Sequence, residues 1–244
     1  MPRTQHPAAE RRQPVTSAST RTRAGRERRA ARGATIVVDF DGTVTEQDLL
    51  DQIAETFGDP EVYREVDEGL DERRLTLHEV LRREFEPVRA PLADVVDWVL
   101  AEVRMRPGFG ELVELAQASG WRLVVLSSGF RELIEPVLAR AGLGDVELLA
   151  NSVDPDPSGW RVRFRDEAAC AVCGEPCKRS AVNALSGAGQ LVYVGDGYSD
   201  RCAAEAADLV FARRGLAAYF TARGVSFEPF DDFFQVADRI VSAR

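Results

Sequence analysis

The sequence predicts an α/β fold in which a doubly wound parallel sheet carries a small inserted α-helical cap. Short apolar runs rich in β-branched residues have the composition of buried parallel strands, at 35–38, 122–126 and 190–194. Weaker strands are predicted at 146–149 and 208–211, and helical patterns lie between the strands, at 109–118, 131–141 and 179–185. This alternation of strands with helices is typical of a doubly wound sheet.

The connection between the first two strands is too long for a simple crossover. Residues 46–105 contain amphipathic helical stretches separated by prolines, at 48–57, 62–70, 75–85 and 92–103. We therefore predict a helical cap domain at 46–105 and a catalytic core made of 34–45 and 106–244. A second insertion, 152–165, has turn residues between two short strand-like runs and predicts a β-hairpin.

The first 33 residues differ from the rest in composition. They are rich in Arg, Ala, Ser and Thr and strongly positive, although the whole chain has a net charge of -9. A segment without apolar periodicity cannot bury enough surface to offset its ordering entropy, so we predict a disordered tail at 1–33. An anion-binding or nucleic-acid-touching arm, an organelle presequence and a wrongly assigned start remain open. We expect no nucleic-acid partner.

Composition excludes several classes of protein. The apolar runs are far shorter than the roughly 20 residues that cross a bilayer, and the amino end has no signal-peptide pattern, so we expect a cytoplasmic protein without a membrane partner. Monomer and homodimer both remain open. The two histidines, His6 and His78, do not provide a zinc hydrolase site or a Ser-His-Asp triad. The chemistry must rest on carboxylates.

Two carboxylates stand where the first predicted strand ends. Asp39 and Asp41 are two residues apart, so their side chains project to the same side of the chain. Ligands bind at the carboxyl ends of strands in open α/β sheets, and Gly42 permits a tight turn. Helix capping is one alternative. A calcium-binding loop is another, but a strand rather than a helix precedes it and its last ligand position holds Asp48 instead of Glu.

The other two strong strands also run into polar residues. Ser127, Ser128 and Gly129 follow the second, where a hydroxyl and main-chain N–H groups would bind an anion or simply cap the next helix. Asp196 and Asp200 follow the last, and Asp196 has glycine on both sides. Asp200 has the alternative role of a favourable charge at a helix N-terminus.

Lys178 is the only lysine in a chain that otherwise uses arginine. An ammonium is a compact point charge that reaches one carboxylate and one phosphoryl oxygen, and a planar guanidinium cannot occupy the same point. The residue opens the predicted helix at 179–185. Chance retention of a single lysine is the alternative interpretation.

Together these strings resemble the four motifs of the haloacid dehalogenase superfamily, in order and from Asp39 to Asp200. The resemblance implies a Mg²⁺-dependent phosphatase that acts on a small-molecule phosphate ester. Asp39 would be the nucleophile that forms an aspartyl-phosphate, and Asp41 the acid and base. The residues implied for binding the phosphoryl group are Ser127, Ser128, Gly129 and Lys178. The residues implied for holding the metal are Asp39, Asp41 through its main-chain carbonyl, Asp196 and Asp200.

Within the superfamily, the cap and hairpin resemble the phosphoserine phosphatase branch, and the motif around Asp196 resembles its methionine-salvage methylthiopentenyl-phosphate subgroup. Phosphoserine phosphatases carry a Glu shortly after the first motif and a cap Arg that grip the amino acid. This chain has Asp48 and Glu84 at the nearest positions, with Arg82 and Arg83 beside Glu84. Asp48 is therefore a predicted substrate-binding residue. A methylthiopentenyl phosphate is the favoured substrate; phosphoserine, phosphoethanolamine, phosphocholine and phosphotransfer to another alcohol remain alternatives.

Three cysteines, Cys170, Cys173 and Cys177, precede Lys178. Their spacing suits zinc if a fourth ligand comes from Cys202 or elsewhere, but no second Cys-x-x-Cys pair follows. A loop of small buried thiols is the alternative.

Overall fold

A computed structural model describes residues 33–242 of the protein, and the predicted tail, apart from Gly33, lies outside the described residues. The strands are β1 Ala34–Val38, β2 Arg122–Phe130, β3 Glu147–Asp154, β4 Arg161–Arg163, β5 Gln190–Gly195, β6 Leu209–Ala212 and β7 Glu228–Pro229. The helices are α1 Leu49–Phe57, α2 Pro60–Asp71, α3 Leu77–Phe85, α4 Leu92–Glu102, α5 Phe109–Ala118, α6 Arg131–Arg140, α7 Arg179–Leu185, α8 Arg201–Ala204, α9 Arg214–Arg223 and α10 Phe233–Ser242.

The strands form one sheet in the order β4-β3-β2-β1-β5-β6-β7. All neighbours are parallel except β3 and β4, which pair antiparallel. The chain moves outward from β1 in one direction through β2 and β3, then returns to the other side of β1 through β5 and β6. The predicted α/β fold with a doubly wound sheet is confirmed. The point where the strand order reverses lies at β1, between β2 and β5, which is where such sheets bind ligands.

Both faces of the sheet are covered, so the central strands are apolar on both sides. In β1, Ile36 and Val38 pack into one hydrophobic cluster and Val37 into the other. All three side chains are fully buried. This explains why β1 reads as a continuous β-branched run rather than as an alternating one.

Five helices lie between β1 and β2. Four of them, α1 to α4, fall within 46–105, and local signals fix where three of these four begin. Asp48 accepts a hydrogen bond from the Asp51 N–H at the start of α1, and Asp59 caps α2 just before Pro60. Thr76 and Glu79 form a capping box at α3. These helices occupy the predicted cap region, and the division of the chain into core and cap stays a prediction.

The structure corrects several predicted boundaries. β2 continues to Phe130 instead of ending at residue 126, and its pairing with β3 shifts register between Leu126 and Phe130. The predicted hairpin is the end of β3 paired with β4, so its first arm belongs to the main sheet. Sequence patterns did not predict α9, β7 or α10. Within residues 33–242, no helix combines the length and apolar character needed to cross a bilayer.

Candidate active site

The central strands bring Asp39, Lys178 and the segment 196–200 together at one edge of the sheet. The Asp39 N–H donates to the carbonyl of Val194 over 2.9 Å, which extends the β1–β5 pairing to the nucleophile candidate. Lys178 Nζ donates to Asp39 Oδ1 at 2.5 Å and to Asp200 Oδ1 at 2.8 Å. Asp39 and Lys178 are 5% and 4% exposed, so this ion pair is shielded from water.

Asp200 fixes its neighbours. Its Oδ1 also accepts from the Tyr193 hydroxyl at 2.7 Å, and its Oδ2 accepts from the main-chain N–H groups of Asp196 and Gly197 at 3.0 and 3.1 Å. With the bond from Lys178, both carboxylate oxygens are used by protein donors. The hydroxyl of Tyr193, a buried residue in the middle of β5, was not found by sequence analysis because a tyrosine in a strand normally reads as core.

Burial and charge act on Lys178 in opposite directions. Burial alone lowers the pKa of Lys178, but the carboxylates of Asp200 and Asp39 outweigh it and hold the pKa above its ordinary value. Burial and the charge of Asp200 raise the pKa of Asp39, and Lys178 opposes that rise. Lys178 therefore carries its charge in the folded protein at any physiological pH.

Asp41 faces Ser127 and Gly129, near the end of β2. Its Oδ2 accepts from the Ser127 hydroxyl at 3.3 Å, and the Gly129 N–H donates to Ser127 Oγ at 2.7 Å. Burial, followed by the charge of Asp48, raises the pKa of Asp41 to about 8. Asp39 and Asp41 thus have different environments, since only Asp39 is paired directly with Lys178. Ser128 is held from β3, because Asn151 Nδ2 donates to its carbonyl at 2.7 Å.

The turn after Asp39 is fixed by a buried arginine that sequence analysis missed. Arg106 donates to the main-chain carbonyls of Thr43 at 2.8 Å, Gly42 at 2.9 Å and Thr45 at 3.0 Å. It is only 6% exposed. In an arginine-rich chain nothing in the sequence marks this residue. Only its position beside the turn shows that it holds the first motif in place.

Carboxylate oxygens suited to a divalent cation converge beside Asp39. Oxygens of Asp39, Asp196 and Asp200 lie within 4.8 Å of one another. Three carboxylates face two cations, the ammonium of Lys178 and the guanidinium of Arg214, so one negative charge is left uncompensated. Burial and the charge of Asp200 raise the pKa of Asp196 to about 6. Hard oxygen donors with this excess charge fit Mg²⁺.

Asp196 has a defined orientation. Thr43 Oγ1 donates to its Oδ1 at 3.1 Å, and Arg214 Nη1 lies 3.7 Å from its Oδ2. Gly42, with φ of 70°, leaves space for this carboxylate, because a Cβ there would collide with it. Any larger residue at 42 would displace the candidate metal ligand.

Two cavities meet over this edge of the sheet. The first, which we call the acidic cavity, has a volume of about 250 Å³. It is lined by Asp39 and Asp41, and its far wall is formed by cap-region helices. That wall carries a group of acidic side chains: Asp48, Asp51, Asp67, Asp71 and Glu84. The second, which we call the basic cavity, has a volume of about 220 Å³ and is lined by Ser127 and Lys178. Its other lining residues include Arg73, Arg165 and Arg201. Asp41 lines the acidic cavity and not the basic one. Asp48, the predicted substrate-binding residue, lies in the acidic cavity.

The comparisons with known proteins agree with this arrangement. The family of haloacid dehalogenase-like hydrolases matches residues 36–205. The chain belongs to this family. The match covers every motif residue from Asp39 to Asp200, and the predicted resemblance is confirmed.

Two relatives of this haloacid dehalogenase-like hydrolase are named as phosphatases. A 2-hydroxy-3-keto-5-methylthiopentenyl-1-phosphate phosphatase of Geobacillus thermodenitrificans is 33% identical over 83% of this chain and 93% of the relative. The polyol phosphate phosphatase PYP1 of Saccharomyces cerevisiae is 29% identical, covering 82% of this chain and 89% of the relative. The chain is therefore a hydrolase of the phosphatase type.

Solved structures share the fold. A phospho-aspartyl intermediate analogue of phosphoserine phosphatase superposes with a TM-score of 0.65 at 18% identity, covering 85% of this chain and 98% of that one. At this identity the likeness shows a common architecture and leaves the substrate open.

Proposed function

We propose that the protein is a Mg²⁺-dependent phosphomonoesterase that hydrolyses a small phosphate ester through an aspartyl-phosphate on Asp39, and that the leaving group is hydroxylated and carries no negative charge. The observation that carries this proposal is the division of labour between the two aspartates. Both line the acidic cavity, but Asp39 is paired with Lys178, whereas Asp41 accepts from the Ser127 hydroxyl. Nucleophile and acid are thereby separated by environment.

The first half-reaction transfers the phosphoryl group to the enzyme. A carboxylate oxygen of Asp39 forms a bond to phosphorus while the bond from phosphorus to the leaving oxygen breaks. Asp41, protonated at the start, gives its proton to that oxygen. Lys178, Ser127 and the main-chain N–H group of Ser128 bind the phosphoryl oxygens. The Gly129 N–H, which donates to Ser127 Oγ, positions that hydroxyl.

The second half-reaction restores the enzyme. Water attacks phosphorus, Asp41 accepts its proton, and the bond between phosphorus and Asp39 breaks to release inorganic phosphate. Mg²⁺, bound by Asp39, Asp196 and the main-chain carbonyl of Asp41, would neutralise charge on the phosphoryl oxygens. We assign Asp200 to positioning rather than direct ligation, because its oxygens already accept from Lys178, Tyr193 and two main-chain N–H groups.

The acidic cavity supports a choice of substrate class. Asp41 must reach the leaving oxygen, so the leaving group lies in the cavity that Asp41 lines. The carboxylates there accept hydrogen bonds from hydroxyl groups and repel a second phosphate or a carboxylate. The apolar residues Leu50, Val66 and Leu81 also line it and suit a carbon chain. A methylthiopentenyl or polyol phosphate meets both conditions.

Phosphoserine fits less well. The two arginines nearest the expected cap position are used elsewhere, since Arg82 lies 4.8 Å over the ring of Phe164 and Arg83 lies 3.6 Å from Glu65. Neither lines the acidic cavity. Among the described residues around that cavity, Arg201 alone is basic.

The four cysteines form no disulfide, which supports a reducing compartment such as the cytoplasm.

A phosphate-release screen with Mg²⁺ tests the proposal. The panel contains the methylthiopentenyl phosphate, polyol phosphates, phosphoethanolamine, phosphocholine, phosphoserine and sugar phosphates. We expect the highest kcat/KM for a hydroxylated leaving group without negative charge. Phosphoserine as the best substrate would contradict the substrate class, and no release from any ester by folded protein would contradict the reaction.

Asp39→Asn tests the nucleophile. We expect turnover to be abolished with an unchanged thermal midpoint, and rapid quenching of wild-type turnover to show one phosphoryl group on the peptide that contains Asp39. Asp94→Asn, at an exposed position of α4, is the matched control and should retain wild-type kcat. Full activity of Asp39→Asn would rule out the assignment.

A further inference from the structure

All four cysteines of the chain come together beside the active site, although one of them is distant in sequence. Cys170, Cys173 and Cys177 lie in the loop between β4 and α7, and Cys202 lies in α8. Their four Sγ atoms lie within 4.8 Å of one another. The fourth ligand that the sequence left open is therefore supplied by the helix that follows Asp200.

The distances between sulfur atoms fit a shared metal and not disulfides. Cys170 Sγ lies 3.9 Å from Cys202 Sγ, and Cys173 Sγ lies 3.6 Å from Cys177 Sγ. A disulfide needs a separation of about 2.05 Å. Zinc bonds to sulfur of about 2.3 Å in a tetrahedron place neighbouring sulfur atoms about 3.8 Å apart. Both measured pairs are close to that value.

The loop is also shaped to present thiolates. The Val172 N–H donates to Cys170 Sγ at 3.4 Å, and the turn is closed by Gly174 N–H donating to the Cys170 carbonyl at 2.8 Å. Gly174 has φ of 83°, which favours glycine. Arg179 Nη1 lies 3.9 Å from Cys202 Sγ and supplies positive charge beside the cluster. Main-chain N–H donors and a nearby cation stabilise thiolate sulfur.

We propose that Cys170, Cys173, Cys177 and Cys202 bind one structural Zn²⁺ ion. Soft thiolate ligands select zinc over magnesium, so this site and the carboxylate site hold different metals. Four protein ligands close the coordination sphere, which is typical of a structural and not a catalytic zinc.

The location gives the ion a role in the geometry of the active site. Cys177 directly precedes Lys178, and Cys202 follows Asp200 by two residues. Zinc therefore ties the loop that carries Lys178 to the helix after Asp200, next to their 2.8 Å hydrogen bond. Arg179, the first residue of α7, adds a direct bond between the two segments, because its Nη1 donates to the Cys202 carbonyl at 2.6 Å.

Metal content of the full-length protein tests the site without reference to activity. We expect protein from zinc-supplemented medium to retain about one zinc per chain after dialysis, and Co²⁺ in its place to give the intense visible absorption of a tetrahedral thiolate complex. Zinc content close to zero together with no such Co²⁺ spectrum would overturn the proposal. Stoichiometric iron in zinc-supplemented protein, or a disulfide in freshly purified protein, would also overturn it.

Matched variants locate the ion. Cys202→Ser should lose the zinc and the Co²⁺ spectrum, whereas Asp196→Asn, in the carboxylate site, should keep both. The reverse pattern would place the metal with the carboxylates and contradict the cysteine site. The wild-type measurements decide the question even if Cys202→Ser fails to fold. A protein that binds zinc here but releases phosphate from no ester would separate this inference from the proposed function.

Discussion

At the scale of single residues, Lys178 shows how charge and shape together select one side chain. Its ammonium lies 2.5 Å from Asp39 Oδ1 and 2.8 Å from Asp200 Oδ1, and the residue is only 4% exposed. A guanidinium is larger and planar and would separate the two carboxylates. This explains why a chain that otherwise uses arginine has a lysine here.

Lys178→Arg should lower kcat by about 10²–10³-fold, because a donor to the phosphoryl group is misplaced. It should also lower the free energy of unfolding by about 1–3 kcal/mol through overpacking. Steady-state kinetics and urea unfolding measure the two effects. The control Arg122→Lys, in the exposed pair with Glu147, keeps wild-type kcat. An unchanged kcat in Lys178→Arg would show that the lysine is accidental.

Gly129→Ala should reduce activity more than stability. A Cβ at this position would lie 2.9 Å from Asp41 Oδ2 and 3.1 Å from Ser127 Oγ, so the acid must move. We expect kcat to fall by about tenfold or more, since misplacing a catalytic group by about 1 Å costs up to about 10²-fold.

Gly110→Ala, inside α5, is the matched control. A Cβ there meets nothing within 4 Å, so this variant should gain about 0.5–1 kcal/mol of stability and keep its kcat. Equal kcat in both alanine variants would contradict the role of Gly129.

At the scale of elements, the turn between β1 and α1 depends on a residue from the segment between α4 and α5. Arg106 bonds to three carbonyls of that turn and, through Nη1, to the carbonyl of Asp231 at 3.3 Å before α10. It therefore joins the first motif to the carboxyl-terminal part of the described chain. Carbonyl groups left unpaired in a buried position cost about 1–3 kcal/mol each.

Arg106→Met should lower the free energy of unfolding by about 3 kcal/mol or more, because several buried carbonyls lose their donor. Turnover should fall as well, since the turn that carries Asp41 loosens. Arg106→Lys should not restore either property, because one ammonium cannot reach all of these carbonyls. Urea unfolding and kcat are the measurements. A change in stability below about 0.5 kcal/mol would contradict the role of Arg106.

At the scale of the whole molecule, the acidic cavity adds a pH-dependent cost to folding. Glu84 is 5% exposed and faces Asp51, Asp48 and Asp67 across the cavity, with Tyr63 nearby. Burial, followed by these charges, raises its pKa from the model-compound value of 4.5 to about 8. Between these two pH values the unfolded chain has released the proton that the folded protein retains. Stability therefore falls as pH rises from about 4.5 to about 8, and then levels.

Glu84→Gln removes the contribution of Glu84 to this dependence. We expect the free energy of unfolding of the variant to exceed that of the wild type increasingly from pH 5 to pH 8, by up to about 1.4 kcal/mol per pH unit. Urea unfolding at several pH values measures the difference. Glu114→Gln, exposed on α5, should follow the wild-type curve. A constant difference between Glu84→Gln and wild type across this range would contradict the prediction.

The sequence by itself determined the positions of the central strands, most of the helices between them and the order of the motifs. β1 and β5 are buried on both faces, so their residues are apolar without interruption, and a polar residue such as Asp39 at their ends stands out. The helices α5 and α7 were predicted with the bounds that the structure has, because their periodicity is regular. Asp39, Asp41, Lys178 and Asp196 were identified for the same reason, as exceptions to a local pattern.

The tertiary structure alone decided which distant groups meet. Arg106 and Tyr193 have no local signal, because an arginine among many and a tyrosine in a strand are ordinary in sequence. Cys202 could be named only as one possible fourth ligand, because nothing local places it beside the other cysteines. Their roles arise from hydrogen bonds and contacts between segments far apart in the chain, such as Cys170 with Cys202. The acidity of the cavity likewise depends on helices folding over the sheet edge. Local periodicity predicts elements, whereas burial and charge at a site are properties of the packed chain.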